Sequence, residues 1–162
     1  MIRLARPSDL AELDALFARA YPALLKPDYP PSVLVTALPL ISRAQPALLA
    51  SGTYRVVEEK GRIVAAGGWT RRAPPGLRTR PGAGSIRHVV TDLHHLRQGH
   101  ARAVIEASLA EARTQGMTAM AAMSTRTAVP FYAAMGFEAL GEVEVTLRDG
   151  IGFPSVAMQR TL

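Results

Sequence analysis

A mixed α/β (α+β) fold, with helices on both faces of one central sheet, is predicted from three features of the sequence. The hydrophobic period changes repeatedly between about 2 and about 3.6 residues along the chain. Clusters of Gly, Pro, Ser and Asp separate the periodic stretches at short intervals. One segment, Ser85 to Ala112, joins a strand-like run to a long amphipathic helix across a basic loop. The predicted order is β-α-α-β-β-β-α-β-α-β-β, without internal repeat or composition break. That implies a single domain over residues 1–162.

Ile2 to Arg6 alternates apolar and basic residues and reads as a first strand. Pro7-Ser8-Asp9 supplies helix-start chemistry, with Ser8 or Asp9 as the cap. Leu10, Leu13, Phe17, Ala20 and Tyr21 then fall on one helical face, flanked by Leu16, and Pro22 is expected to end or kink that helix. Tyr21 to Pro31 reads as a loop. Helical stretches are expected over Ser32 to Ala37 and over Pro39 to Leu49. Thr53 to Glu59 and Arg62 to Thr70 read as a hairpin across Lys60-Gly61. Within the second arm, Gly67 and Gly68 beside Trp69 suggest a bulge or close packing.

Arg71 to Gly84 is too dense in Pro and Gly for regular structure and reads as a loop. Ile86, Val89 and Val90 are strand formers. From Ala101 the apolar residues recur at helical spacing through Val104, Ile105, Leu109 and Ala112, and Gly116 closes the helix. Met117 to Ser124 reads as a buried strand. Thr127 is placed to cap a short helix whose first turn tolerates Pro130, and Gly136 ends it. Glu142 to Arg148 and Phe153 to Arg160 read as two final antiparallel strands joined at Asp149-Gly150.

Composition narrows the classes. Hydrophobic residues make up 48% of the chain, as expected of a globular protein. No apolar run is long enough to span a membrane, and the N-terminus turns polar too early for a signal peptide. Cysteine is absent, which excludes disulfides and thiolate chemistry. A cytoplasmic protein is the simplest expectation. The net charge of +6, carried almost wholly by Arg, suits acidic partners such as phosphates, carboxylates or nucleic acid, unless it only reflects an Arg-rich coding bias.

The chemistry concentrates at Arg97-Gln98-Gly99-His100-Ala101. A helix that begins beside a glycine and several cations offers unpaired amides and a positive dipole end to an anion. A phosphate-bearing ligand at the Gly99 turn is therefore expected. The four histidines (His88, His94, His95 and His100) lie close together. They lack helical i, i+4 pairing, and no Cys or paired acid joins them, so no metal site is expected.

Two motifs carry a family resemblance. Gln98-Gly99-His100-Ala101, after a strand and before a long helix, resembles the acetyl-CoA motif of the GNAT N-acetyltransferases. The motif maps onto Leu96, Gly99 and Ala101. Phe131-Tyr132 followed by Gly136-Phe137 resembles that family's second signature, and the gap between the two motifs also matches. Leu96 stands where the family usually has Arg or Gln, and Leu93 where Pro is common. Arg97 and Arg102 are near enough to compensate for the first.

The resemblance implies a GNAT-like, mostly antiparallel mixed sheet and transfer of an acetyl group from acetyl-CoA to an amine. Amides from Gly99 to Arg102, with Arg97, Gln98, His100 and Ala101, would hold the pyrophosphate. Backbone groups of Val89, Val90 and Thr91 would position the thioester, and an N–H near Val90 would stabilise the oxyanion. Phe131 belongs to the same cofactor-binding set. Tyr132 is the candidate acid for the departing thiolate.

No carboxylate stands where many relatives carry a general base. His88, Glu58, Glu59 and an ordered water chain all remain candidates. Without Cys, the acceptor must attack the thioester directly in a ternary complex. The acceptor, a small-molecule or peptide amine, is not legible. Tyr21 and Tyr29 either shape its pocket or only pack. The Arg71–Arg80 loop either is solvated or meets an acidic group. A homodimer is expected from the family's habit, and no membrane partner is expected. Two competing readings are a non-catalytic acyl-CoA-binding module and, ranked last, a nucleic-acid-binding protein.

Overall fold

The computed structural model describes all residues, 1–162. Seven strands form one sheet: β1 (Ile2–Leu4), β2 (Tyr54–Glu59), β3 (Arg62–Thr70), β4 (Ala83–Thr91), β5 (Ala119–Ser124), β6 (Glu138–Thr146) and β7 (Gly152–Thr161). Their spatial order is β1-β2-β3-β4-β5-β7-β6. Every neighbouring pair is antiparallel except β4 and β5, which run parallel. β3 lies mid-sheet and is buried on both faces, which is why its sequence is a continuous apolar run rather than an alternation.

The helices are α1 (Leu10–Leu25), α2 (Pro31–Ile41), α3 (Pro46–Leu49), α4 (His100–Thr114) and α5 (Val129–Ala134). One core joins α1 and α3 to the sheet through Leu13, Leu16, Phe17, Leu48, Val56 and Val90. A second, on the opposite face, joins α4 and α5 to it through Ile105, Leu109, Trp69, Met120, Tyr132 and Met158. The helices thus cover both faces, as the sequence implied. No helix is long and apolar enough to cross a membrane.

Several boundaries differ from expectation, each for a local reason. Pro22 does not end α1. The helix runs one turn further, and Leu25 is buried with Tyr29, Leu34 and Phe153, so packing outweighs the amide that proline lacks. Likewise α2 passes through Pro39 to Ile41 and is not continuous with α3. Asp9 does not cap α1. Its carboxylate accepts from the Arg6 amide at 2.7 Å and from both terminal nitrogens of Arg3 at 2.9 Å.

Thr127 does not cap α5 either. Its hydroxyl donates to Asp28 at 2.7 Å, and Thr125 Oγ1 accepts from the Ala128 amide instead. β4 begins inside the stretch read as loop, and β6 begins four residues before the expected Glu142. β6 is exposed along nearly its whole length, so no burial signal marks its start.

The turn after β4 is fixed by Asp92. Its carboxylate accepts from Arg19 at 2.9 Å and lies 2.9 Å from His95 Nδ1. Burial alone would raise its pKa, but the hydrogen bonds from Arg19 and His95 outweigh it and hold the group at about 2. A carboxylate depressed in the folded state stabilises the protein above its unfolded pKa of about 3.9 and loses that effect as pH falls toward the folded value. The Asp92→Asn variant should be less stable at neutral pH and should lose part of the stability change between about pH 4 and 2. Urea unfolding across that range measures it; parallel curves for the two proteins would contradict the assignment.

Candidate active site

The sheet opens between β4 and β5. The two strands pair only over Ala83–Ser85 with Ala119–Ala121, although both continue well beyond. Past Ser85 they part, and a cavity of about 1820 Å³ fills the gap. The first turn of α4 and the first turn of α5 border it.

β4 carries a bulge at this point. Ala66 faces Val90 while Gly68 faces Arg87, so β4 has one more residue than β3 between those pairs. His88 takes up the irregularity with φ 45°, and Tyr54 secures it by donating its hydroxyl to the His88 carbonyl at 2.7 Å. Beyond the bulge the Asp92 amide bonds Val64 O at 2.8 Å. In that register the Val90 amide turns toward Ala66, and the amides of Val89 and Thr91 turn toward the gap. The N–H groups available near Val90 are therefore its two neighbours.

Across the gap, α4 starts at Gly99, whose φ of 84° suits glycine. No side chain caps this end. The amides of His100, Ala101 and Arg102 donate to nothing within the chain. A Cβ on Gly99 would meet no atom within 4 Å, so the space above the turn is open. Gly67 explains how α4 comes so close to the sheet: a Cβ there would lie 2.9 Å from both Val104 and Val89.

Tyr132 reaches the cavity from α5. It is 6% exposed, held edge-on between Phe131 and Phe137 at centroid distances of 5.2 and 5.3 Å. Burial pushes its phenol pKa above the ordinary value. Its hydroxyl has no hydrogen-bond partner within the chain, a rare condition for a buried phenol that faces a cavity.

Residues 40–162 match the family model described as an acetyltransferase (GNAT) domain. The chain belongs to the GNAT family. No curated protein matches the sequence. Solved structures resemble it at the level of fold. A GCN5-related N-acetyltransferase from Rhodopseudomonas palustris has TM-score 0.80 at 18% identity, over 100% of this chain and 95% of that one. The PaiA N-acetyltransferase of Thermoplasma acidophilum, solved with coenzyme A, has TM-score 0.73 at 9% identity, over 100% and 98%. The GphF GNAT-like decarboxylase, solved with isobutyryl-CoA, has TM-score 0.70 at 22% identity, over 99% and 98%.

Within this GNAT domain, nearly all the site residues expected from sequence border one cavity: Val89, Val90 and Thr91 on β4, Arg97, Gly99, His100, Ala101 and Arg102 at the start of α4, and Phe131 with Tyr132. Gln98 does not, and sits with its Oε1 3.3 Å from His100 Nε2. The histidines separate only in part: the His95 and His100 rings stay 6.4 Å apart. His95 and His100 approach Glu59 at 3.6 and 3.2 Å, beside the α4 start. Glu58 is bonded to Arg3, and neither Glu58 nor Glu59 borders the cavity. Asp149, exposed, is the sole carboxylate that does.

His88 also borders the cavity, stacked on Phe17 at 5.6 Å. Burial, with help from the neighbouring Arg87 charge, pushes its pKa down to about 4, so the ring is neutral at pH 7. Gln45 Oε1 accepts from Arg87 at 3.2 Å, which leaves Gln45 Nε2 to donate to His88 Nε2 at 3.0 Å. The ring proton is therefore on Nδ1, a buried atom without a partner. Arg87 and Gln45 escaped the sequence reading: Gln45 stands in an irregular link between two helices, and nothing in a strand pattern shows that a bulge will put Arg87 and His88 on one face.

Tyr21 borders the cavity, whereas Tyr29 is structural. The Tyr29 hydroxyl donates to Pro154 O and accepts from the Arg126 amide. Pro74 to Leu77 of the Arg-rich loop lie at the cavity's edge.

Proposed function

We propose that the protein is an acetyl-CoA-dependent N-acetyltransferase that moves the acetyl group to a primary amine by direct attack in a ternary complex. One observation carries the reading: a single cleft joins uncapped amides at the start of α4 to an unpartnered phenol on α5. The residues fit the co-substrate. The amides of His100, Ala101 and Arg102, with the Arg97 and Arg102 side chains, offer a diphosphate its donors. The inward amides of Val89 and Thr91 serve the pantetheine arm and the developing oxyanion. Tyr132 donates a hydrogen bond to the sulfur as it gains charge.

His88 does not act as the base, because its remaining lone pair already accepts from Gln45. With no buried carboxylate in the cleft, the ammonium proton leaves to water through the open mouth. That favours acceptors that lose a proton more readily than a lysine, whose pKa is about 10.4.

Coenzyme A should raise the melting temperature, since it binds the native state alone. Gly99→Val fills the open space above the turn and places a β-branched residue at positive φ, which costs about 1–2 kcal/mol per residue. The CoA-induced shift should fall to less than half in this variant. Release of free CoA from acetyl-CoA with an amine panel then tests the transfer. Absence of a CoA shift in the wild type would sink the binding reading. Binding with no amine acetylated would favour the non-catalytic acyl-CoA-binding module, which the scarcity of carboxylates in the cleft also suits.

A further inference from the structure

Arg87 is the most deeply buried cation in the protein, and no carboxylate answers its charge. It is 8% exposed, and it is the only arginine buried in the core. Arg3, Arg19, Arg55, Arg102 and Arg126 each sit on a carboxylate, and all are more exposed. Arg87 has no ion-pair partner. Its terminal nitrogens donate only to two neutral oxygens, Thr70 Oγ1 and Gln45 Oε1, both at 3.2 Å. A guanidinium has five N–H donors, and a buried, unpaired charge is among the costlier features a fold can keep.

The fold goes out of its way to keep it. The bulge at His88, with its positive φ, sets Arg87 and His88 on the α1 side of β4 together, where regular alternation would send them to opposite faces. Both border the cleft. His88 beside it is held by Gln45, and its Nδ1 is buried away from the cleft. Arg43 and Gln45 line the same cleft, together with apolar residues that include Tyr21, Leu24, Ile41 and Phe153. A buried guanidinium without an ion-pair partner, beside largely apolar walls, suits a carboxylate on an apolar body.

We infer that Arg87 receives the carboxylate of a substrate whose body is apolar, in the lobe of the cleft between β4 and α1. The inference deepens the acetyltransferase reading and rests on it for one point, that the partner of this lobe is a substrate. Arg87 and Val89 lie on the same strand, on either side of the bulge, so a carboxylate held by the guanidinium stays beside the stretch of β4 that faces the gap. The carboxylate could come from the acceptor amine or from a dicarboxylic acyl chain on CoA, and the two sources are separable.

Phenylalanine, leucine and methionine, each beside its carboxamide, are titrated calorimetrically into the protein–CoA complex. In a second arm, acetyl-CoA is compared with malonyl-CoA and succinyl-CoA on the free protein. At least one carboxylate should bind about 10- to 100-fold more tightly than its amide, the worth of a charge-assisted hydrogen bond, and Arg87→Gln should erase the difference. Preference for a dicarboxylic acyl-CoA over acetyl-CoA, erased by the same variant, assigns the carboxylate to the acyl chain.

Should Arg87→Gln fail to fold, the wild-type comparisons decide alone. Equal or absent binding within every pair in both arms overturns the inference. The readout is binding, so the site at Arg87 stands if carboxylates are preferred while no amine is acetylated. It falls if amines are acetylated without regard to carboxylates.

Discussion

Replacing Tyr132 by Phe should lower kcat by about 10- to 100-fold and leave CoA binding nearly unchanged. The magnitude follows from what the phenol can do. Its pKa is raised by burial, above an ordinary value of about 10, while a thiol ionises near 8.5. Full proton transfer from such a phenol to the departing thiolate runs uphill, so the useful interaction is a hydrogen bond to developing charge. Hydrogen bonds to charged groups contribute about 1.5–3 kcal/mol, which is the stated range in rate. A dedicated general acid would be worth about 10²- to 10⁴-fold.

The fold should tolerate the change. The hydroxyl has no partner to lose, and the ring remains clamped between Phe131 and Phe137. Because the phenol stays protonated through neutral pH, the wild-type pH–rate profile should show no fall near pH 8–9 from Tyr132 itself. Initial rates of CoA release for the two proteins, with their melting temperatures as a control on folding, decide the matter. An unaltered kcat would remove Tyr132 from the chemistry and leave it a packing residue.

The contrast between Tyr132 and Arg87 shows what a sequence of this kind discloses. Tyr132 was legible only through the resemblance of Phe131-Tyr132 and Gly136-Phe137 to a family signature; the local pattern shows no more than a short helix ended at Gly136. The turn at Gly99 was legible from local pattern, since a glycine between a cationic loop and an amphipathic helix is a statement about one turn of backbone. The hairpin of β2 and β3 and the burial of α4 likewise follow from period and punctuation within a dozen residues.

What the sequence hid depends on contacts between distant segments. Gln45 meets His88 and Arg87 across more than forty positions, and no period links them. The bulge at His88 has no signature in the strand-forming run around it, yet it decides which face Arg87 takes. Pro22 inside α1 is a case of tertiary packing overriding propensity: Leu25 buried against Phe153 is worth more than the missing bond. The parting of β4 and β5, on which the site depends, is a property of two strands and legible in neither.

That parting explains why the largest loss of stability is expected at Trp69, far from any reacting atom. Trp69 is 1% exposed and packs among Ile86, Ile105, Leu109 and Met120. Its ring lies over Gly84, where a Cβ would come within 2.8 Å of ring carbon Cε3, and Gly84 pairs with Met120 in the short parallel stretch that joins β4 to β5. Its indole N–H donates to Glu111 at 3.1 Å, and the same carboxylate accepts from Arg55 at 2.7 Å, so α4 is tied to β2 and β3 at this level. Trp69→Ala removes the wedge beneath the one joint that holds the two halves of the sheet together.

Truncations of this kind cost about 3–5 kcal/mol, and in a domain of this size each kcal/mol moves the melting temperature by about 2–4 °C. A fall of about 6–20 °C is expected, with a weaker CoA-induced shift because the cleft's floor is no longer fixed. Trp69→Phe, which keeps most of the ring and leaves Glu111 with Arg55, should lose less than half as much. A melting point for Trp69→Ala within 2 °C of wild type, outside the stated range per kcal/mol, would mean that the joint is held by the strand pairing alone.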